Sequence, residues 1–505
     1  MKKLALISVS DKSSIVEFAS ELTKHEYGIL ATGKTAKTLL DNGVECTEIS
    51  DFTSYPEIFS GRVKTLNPKI FGGILMRRDL EEDIRQAAEN NITPIDIVCV
   101  NLYPFPQVVN RDDISLEVKI ENIDIGGPSL IRAAAKNYKY VSVLTNPTQY
   151  DYFLDELNKG EISLETRSKL AAEAFSHTSM YDTIIANFFE QEFLDEPTAV
   201  RLNYKTAFQL RYGENPHQKA TLFGDFSEYF EVLHGKELSY NNIIDLTAAV
   251  ELVSEFDKTA CAIIKHTNPC GAAVANSVSE AYEKALSGDP VSAFGGIVAF
   301  NKEVDAGTAL KLNDIFLEII CAPSYSQEAL DELKKKKNRR LILIKKYPDE
   351  DQRVIKSVPG GLLVQDKDNS KISDNLMKVV TEREPTQSEI EDLKFAWVVC
   401  KHTKSNAIVF VKDCKALGVG AGQMSRVDSA KIAAIKAKQF GHQLEGAVAA
   451  SDAFFPFADG LIEIAKYGIT SVIQPGGSVR DEEVINAANE NNISMIFTGI
   501  RNFKH

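Results

Sequence analysis

Three features of the sequence point to an α/β protein of more than one domain. Short apolar runs alternate with stretches whose apolar residues recur at helical spacing, first in residues 4–144 and again from residue 204 onward. The 505 residues exceed what one hydrophobic core usually holds, so two to four domains are expected. Between the alternating blocks, Asp195-Glu196-Pro197-Thr198 reads as a break. The expected domains are therefore residues 1–197 and 198–505.

Each early element has its own signal. Residues 4–9 are strand-like, and 13–24 carry apolar residues at helical spacing. Residues 29–31 are strand-like, 34–40 helical, 95–102 strand-like, 130–136 helical and 140–144 strand-like. Such a succession predicts a doubly wound parallel sheet. A long helical pattern over 164–189 follows. In the second block, turns fall at Asp289-Pro290, Pro359-Gly360-Gly361 and Pro475-Gly476-Gly477, and the polar stretch 365–390 marks a seam between two subdomains.

Two Lys-His-Thr steps, Lys265-His266-Thr267 and Lys401-His402-Thr403, each close an apolar run in this block. A strand that delivers a cation and an imidazole to its end places an acid and a base where α/β sheets bind ligands. Their recurrence suggests two related subdomains. The cationic stretch of residues 334–337 with Arg339 and Arg340 reads as a solvated helix end feeding a strand at 341–344.

Composition narrows the function. A net charge of −14 argues against a general nucleic-acid binder, whose affinity comes from neutralising phosphates. No apolar run reaches the roughly 18 residues that cross a bilayer, and the short N-terminal apolar stretch is interrupted by Asp11-Lys12. The seven cysteines contain no C-x-x-C pair, so neither a disulfide framework nor a zinc ribbon is indicated. A reduced, cytoplasmic protein is expected.

Several segments carry chemistry. Gly28-Ile29-Leu30-Ala31-Thr32-Gly33-Lys34-Thr35 satisfies the Walker A expression, but that mechanism needs the strand before the first glycine. Here the strand-like residues lie between the glycines. Thr32-Gly33-Lys34-Thr35 and Ser8-Val9-Ser10-Asp11-Lys12 instead read as two adjacent strand-to-helix turns with N–H groups, hydroxyls and lysines suited to a phosphate monoester. Capping by Ser and Thr is the simpler role for either turn alone. Arg62 and Lys64 share one loop, Tyr103 ends a strand, and Asp124 and Lys136 flank a helical stretch; these groups suit a convergent site. In the second block, Arg211-Tyr212, Ser292, Phe294 and the glycine-rich stretch before Arg426 occupy Gly/Pro-structured loops.

Taken in order, SVSDK (8–12), GRVKTLNPK (61–69), CVNLYPF (99–105), IDIGGPSLIRAAAKN (123–137), LRYGENPHQ (210–218), IKHTNPCGAA (264–273), DPVSAFGG (289–296), KSNAIV (404–409), GAGQMSR (420–426) and SDAFFPFADG (451–460) resemble one family nearly end to end. That family joins phosphoribosylaminoimidazolecarboxamide (AICAR) formyltransferase to IMP cyclohydrolase in purine biosynthesis. The resemblance implies a methylglyoxal-synthase-like cyclohydrolase domain followed by a transferase of two cytidine-deaminase-like subdomains. The H-x-E with P-C-x-x-C of the zinc deaminases is absent, so their zinc chemistry is not expected, and no metal is predicted.

By resemblance, Lys265, His266 and Asn406 carry formyl transfer from 10-formyltetrahydrofolate, while Arg211, Tyr212, Ser292, Phe294, Arg426 and Arg501 hold the nucleotide. Asp452 and Phe455 are expected toward the folate. Lys64, Tyr103, Asp124 and Lys136 match the catalytic positions of the cyclohydrolase, with Ser10, Lys12, Gly33, Thr35 and Arg62 around its substrate. A homodimer with shared transferase sites is also implied. Two departures stand out. Asn67 and Phe71 occupy positions where the family usually has histidine, so no imidazole there is essential in this chain. Lys401-His402 is incidental, because the matching family residue in that segment is Asn406. The competing readings are an NTPase or kinase using Lys34, and a nucleotide-binding regulator without turnover.

Overall fold

The computed structural model describes residues 3–505. The chain divides into two compact units, Met1–Asn203 and Tyr204–His505. The division falls after residue 203 rather than 197, because Arg201 pairs with Glu190 at 2.8 Å and Thr198 bonds to the same carboxylate. Those contacts hold the segment past Pro197 to the last helix of the first unit.

In the first unit, β1 (Lys3–Ser8), β2 (Tyr27–Ala31), β3 (Thr47–Glu48), β4 (Ile97–Val100) and β5 (Ser142–Leu144) form one sheet in the order β3-β2-β1-β4-β5. Every pairing is parallel. β4 is buried throughout, as its unbroken apolar run requires of a strand covered on both faces. The helices are α1 (Ile15–Lys24), α2 (Gly33–Asp41), α3 (Ile49–Thr53), α4 (Pro68–Leu75), α5 (Glu81–Glu89), α6 (Phe105–Val109), α7 (Leu116–Glu121), α8 (Gly126–Lys136), α9 (Tyr150–Leu157) and α10 (Leu164–Phe193). The strand order reverses between β1 and β4, so the crevice for a ligand lies outside the carboxyl ends of those two strands.

The topology removes the Walker A reading. Gly28 is inside β2, paired with Leu4, so the supposed phosphate loop is mostly strand. Only Gly33, with φ +31°, begins a helix, and it does so directly after β2.

The second unit is built on one continuous sheet of twelve strands. It opens with a hairpin of β6 (Thr206–Gln209) and β7 (Thr221–Phe223), then α11 (Phe226–Tyr229) and β8 (Phe230–His234). The first half continues with α12 (Tyr240–Ser254), β9 (Ala260–Lys265), β10 (Asn268–Val274), α13 (Val278–Gly288), β11 (Gly296–Phe300), α14 (Ala306–Leu312), β12 (Leu317–Ala322), α15 (Gln327–Leu333) and β13 (Arg340–Ile344). A separate exposed hairpin of β14 (Arg353–Val358) and β15 (Gly361–Asp366) follows. The second half runs β16 (Lys378–Val379), α16 (Gln387–Lys401), β17 (Ile408–Lys412), β18 (Lys415–Gly420), α17 (Arg426–Gln439), β19 (Val448–Ser451), α18 (Asp459–Ala465), β20 (Ser471–Gln474), α19 (Asp481–Glu490) and β21 (Ser494–Phe497). The expected seam at 365–390 is therefore cut by β16, which already pairs with β21 of the second half.

The sheet order is β16-β21-β20-β19-β17-β18-β10-β9-β11-β12-β13-β8, palindromic about the β18–β10 pair. On both sides an antiparallel hairpin leads outward to three mutually parallel strands and an antiparallel edge strand. Alternate residues of β9 face opposite cores: Ala262 and Ile264 pack with α12 and α16, while Cys261 and Ile263 pack with α13.

The duplication extends to single residues. Gly271 is the fourth residue of β10 and Gly418 the fourth of β18. A Cβ on either would stand 2.1 Å from a helix carbonyl, that of Ala285 in α13 or of Ala433 in α17.

The second Lys-His-Thr step is not part of this repeat. Lys401 ends the helix α16, not a strand, because a Thr386 capping box starts a helix whose Leu393, Ala396, Trp397 and Cys400 are buried. A short apolar run does not by itself distinguish strand from buried helix. The structural counterpart of Lys265-His266-Thr267-Asn268 is Lys412-Asp413-Cys414-Lys415, the other hairpin turn. The basic stretch also differs from its sequence reading at one end. Arg339 and Arg340 are buried and donate to the carbonyls of Leu312, Lys236 and Glu237, so they are structural cations rather than part of a solvated helix end.

Gly271→Ala and Gly418→Ala should each destabilise the second unit by about 1–3 kcal/mol or more, since the helix must retreat from the strand. Gly361→Ala, with nothing within 4 Å of its added Cβ, serves as the comparison and should be near neutral. Thermal unfolding monitored by calorimetry checks this. Equal midpoints for all three would contradict the close helix–strand packing.

Candidate active sites

In the first unit, the carboxyl ends of β1, β2 and β4 bring three loops together. Ser8 and Thr32 share a hydroxyl hydrogen bond of 2.8 Å across β1 and β2. Asn101, the first residue after β4, accepts the backbone N–H groups of Ser10 (2.5 Å) and Asp11 (2.9 Å) and donates back to the Asp11 carbonyl. A cavity of about 460 Å³ opens here, lined by Ser10, Asn101, Tyr103, Thr145 and Tyr181 among others. A second, of about 230 Å³, is lined by Thr32, Gly33, Glu48, Tyr55, Glu57 and Lys64.

Asp124 sits beside the backbone of Tyr103 and within electrostatic reach of Lys64. Burial pushes the Asp124 carboxyl above the usual carboxylate range, opposed by the backbone N–H groups of Gly127 and Tyr103 and by the charge of Lys64. The Gly127 N–H donates to Asp124 Oδ1 at 2.7 Å, and the Asp124 N–H donates to the Tyr181 hydroxyl at 2.9 Å. Glycine is required where these loops meet: a Cβ on Gly127 would lie 2.5 Å from Asp124 Oδ2, and one on Gly126 2.8 Å from Thr65 Oγ1.

Other expected groups sit elsewhere. Lys136 is the last residue of α8, about 15 Å along the axis from Gly126 at 1.5 Å per residue, and is exposed. Arg62 pairs with Glu121 at 2.7 Å on the surface. Thr35 is buried and bonds both backbone groups of Val9, so its hydroxyl is committed to joining α2 to β1. Lys12 reaches the carbonyls of Val9 and Ser10, and α1 begins only at Ile15. Of the two turns expected to be helix N-termini, only the one at Gly33 is one. Asn67 caps α4, accepting the Lys69 N–H at 2.9 Å, and Phe71 packs against the core.

In the second unit, strand directions assemble one edge. β9 ends at Lys265, opposite the start of β10, and β11 begins beside it at Gly296. Across the β10–β18 pair, the end of β18 meets the start of β17, and Ile408 of β17 faces Ser451 at the end of β19. His266, Phe294, Asn406, Arg426 and Asp452 consequently share this edge. The strand stops at Lys265 and His266 opens a turn with φ +51°, which frees the two side chains from the opposite-face rule of a continuing strand.

Lys265 Nζ donates to the carbonyls of Phe294 (2.9 Å) and Gly295 (3.1 Å). Asn406 Nδ2 donates to the Gln423 carbonyl at 2.9 Å. Arg426 donates to Asp452 Oδ1 at 3.0 Å and to Ser451 Oγ at 3.2 Å. Asp452 is fully buried, and its Oδ2 has no hydrogen-bond partner among the described residues. Phe455 is buried, its N–H on Gln474 Oε1. Arg501 stacks over Phe503, and Phe294 is exposed against Phe316. Ser292 donates to Asp289, which also binds Lys436 across the halves.

Arg211 lies over the Tyr212 ring and donates to its hydroxyl at 2.7 Å. This pair adjoins Tyr240 and the Arg340 end of β13. β13 is three strands from β9, about 14 Å at 4.8 Å per strand, and Tyr240, whose N–H donates to the Tyr212 carbonyl, opens the helix that carries Asp245 to the Thr267 N–H.

Two families account for this arrangement. The MGS-like domain matches residues 14–129, and the AICARFT/IMPCHase bienzyme matches residues 134–436. The chain belongs to the AICARFT/IMPCHase bienzyme family. Over 518 residues covering all of both chains it is 52% identical to the bifunctional purine biosynthesis protein PurH of Persephonella marina. Proteins of the same name from Bacillus cereus and a Thermoanaerobacter species are 50% and 51% identical, again over the whole of both chains.

Within this family member, Lys401 and His402 have a structural task. Glu255, at the end of α12, accepts Lys401 Nζ at 2.7 Å and His402 Nε2 at 2.8 Å, which joins the helices of the two halves. Burial raises the Glu255 carboxyl, but hydrogen bonds from His402 and Lys401 outweigh it and hold the group down to about 2. Burial also lowers His402 from its ordinary value, opposed by its hydrogen bond with Glu255.

Asn101 and Gln423 escaped the sequence reading. Asn101 stands directly after the strand run, where an amide that spans two loops leaves no periodic trace. Gln423 contributes a backbone carbonyl, to which its residue type is irrelevant.

A depressed carboxyl contributes stability above its unfolded value and loses it on acidification. Glu255→Gln should therefore cost about 3 kcal/mol at neutral pH, and the deficit should shrink as pH falls from the ordinary 4.5 toward about 2. Denaturant unfolding of both proteins at a series of pH values measures it. A deficit that grows on acidification would contradict the assignment.

Proposed function

We infer that this chain catalyses two successive steps of purine biosynthesis. The second unit transfers formyl from 10-formyltetrahydrofolate to the 5-amino group of AICAR, and the first closes the product, FAICAR, to IMP with loss of water. The observation that carries this is family membership over the full length, with two separate strand-edge sites in two units.

For formyl transfer, the amine is conjugated to a ring and a carboxamide, so it must lose its proton as it attacks. His266, exposed at the strand end, takes that proton. Lys265 has three N–H donors and spends two on backbone carbonyls; the third faces the developing oxyanion or the departing folate nitrogen. Asn406 keeps its carbonyl oxygen and one N–H to orient the carboxamide. Arg426 is held by Asp452 for the nucleotide.

For ring closure, Lys64 stabilises oxyanion charge, while Tyr103 and Asp124 move protons. A carboxyl raised by burial is suited to that exchange. Ser10 and the Gly33 turn hold the phosphate at the helix N-terminus. Formyl transfer onto so weak an amine is uphill, and ring closure drains its product, which gives a chemical reason for one chain to hold both sites.

A homodimer with shared transferase sites belongs to the same proposal and rests on family membership. The free thiols of all seven cysteines suit a reducing, cytoplasmic setting. Among the described residues no helix is long and apolar enough to cross a membrane.

His266→Ala should lower formyl transfer by roughly 10²–10⁴ and leave ring closure of supplied FAICAR near wild type. Lys64→Ala should do the reverse, and mixing the two proteins with AICAR and formyl-folate should restore IMP formation. Loss of both activities in folded His266→Ala would refute the two-site reading. Sedimentation alongside the transferase assay tests the dimer. Full transferase activity at concentrations where only monomer exists would exclude shared sites.

A further inference from the structure

We propose that Asp245 is a positioning residue for formyl transfer, fixing the His266-Thr267 turn so that the imidazole points at the amine. This rests on the reading of His266 as the base.

Both turn residues are left-handed, with φ +51° at His266 and +61° at Thr267. Neither is glycine, and such conformations cost about 1–2 kcal/mol per residue, so something must hold them. Asp245 does so from α12: its Oδ1 accepts the Thr267 N–H at 2.7 Å, and the carboxylate also lies beside the His266 backbone N–H. The carboxylate is partly buried, and burial raises it, against the two N–H groups and the charges of His266 and Lys265. Asn268 adds two anchors, donating to the His266 carbonyl at 3.1 Å and accepting the Lys404 N–H at 2.9 Å. The latter ties the turn to the segment that leads into Asn406.

The internal repeat supplies a built-in comparison. Asp245 is the sixth residue of α12, and Asp392 is the sixth residue of α16. Asp392 accepts the N–H groups of Asp413 (3.0 Å) and Cys414 (2.6 Å), whose φ values are +55° and +50°. The same carboxylate device therefore holds the same turn twice. The Asp413-Cys414 turn lies at the opposite edge of the sheet, beside the end of β10, and presents no imidazole. Its carboxylate serves the fold alone; in the first half the same device also carries the base.

The test uses the full-length chain with Asp245→Ala, Asp245→Asn, Asp245→Glu and Asp392→Ala. Asp245→Ala and Asp392→Ala should lower the unfolding midpoint of the second unit to a similar extent. Only Asp245→Ala should reduce kcat for formyl transfer, by about 10²-fold, the effect of roughly 1 Å of misplacement, with KM for AICAR little changed and ring closure intact. Asp245→Asn keeps one acceptor oxygen and should recover most of kcat. Equal kcat losses in Asp245→Ala and Asp392→Ala, or a wild-type kcat in Asp245→Ala, would overturn the proposal. Should Asp245→Ala not fold, Asp245→Glu decides, because its extra methylene displaces the turn and a wild-type kcat there overturns it equally. If His266→Ala itself transfers formyl at the wild-type rate, the reading of the base has failed; if His266→Ala is slow while Asp245→Ala is not, positioning alone has.

Discussion

The antiparallel pairing of β10 with β18 is the interaction on which the second unit depends. It joins two copies of one β/α arrangement into a single sheet, and its register decides which loops share an edge. With Ala273 opposite Lys415, the start of β10 falls beside the end of β18. That brings the end of β9, with Lys265 and His266, to the side where β17 begins and Asn406 and Arg426 stand. A parallel junction would have sent the two sets of residues to opposite edges. The close approach of α13 and α17 to this pair, possible only over glycine at 271 and 418, locks the junction from one face.

The first unit solves a similar problem differently. All its strands run the same way, so every loop after a strand lies on one edge, and the order β3-β2-β1-β4-β5 opens a crevice at the β1–β4 reversal. Asn101 bridges that crevice, and the committed hydroxyl of Thr35 shows how a residue in a phosphate-like motif can be spent on packing. Asp124 is raised by burial because α8 approaches through Gly126-Gly127, which leaves the carboxylate beside backbone rather than water.

Carboxylates that accept backbone N–H groups recur as the means of holding demanding loops: Asp124 with Gly127, Asp245 with Thr267, Asp392 with Asp413 and Cys414. A charged acceptor makes a stronger bond than a neutral one, and several N–H groups offset the strain of a left-handed residue. The Glu255 pair with Lys401 and His402 has the same character at larger scale, joining helices of the two halves rather than residues of one turn.

By itself the sequence determined the alternation of strand and helix, the parallel sheet of the first unit, and, through ordered motifs spread over the chain, the family and the residue types at both sites. Those follow from local periodicity and from side-chain chemistry, which are written residue by residue. The tertiary structure decided what depends on contacts between distant segments. It placed Lys401 at a helix end, where Glu255 binds it, and made Lys412-Asp413-Cys414-Lys415 the true counterpart of the His266 turn. It set Lys136 ten residues along α8 from Gly126, and Arg211 beside Arg340 of β13, three strands along the sheet from β9. A helix length and a strand order set such distances, and neither is encoded at the residues they separate.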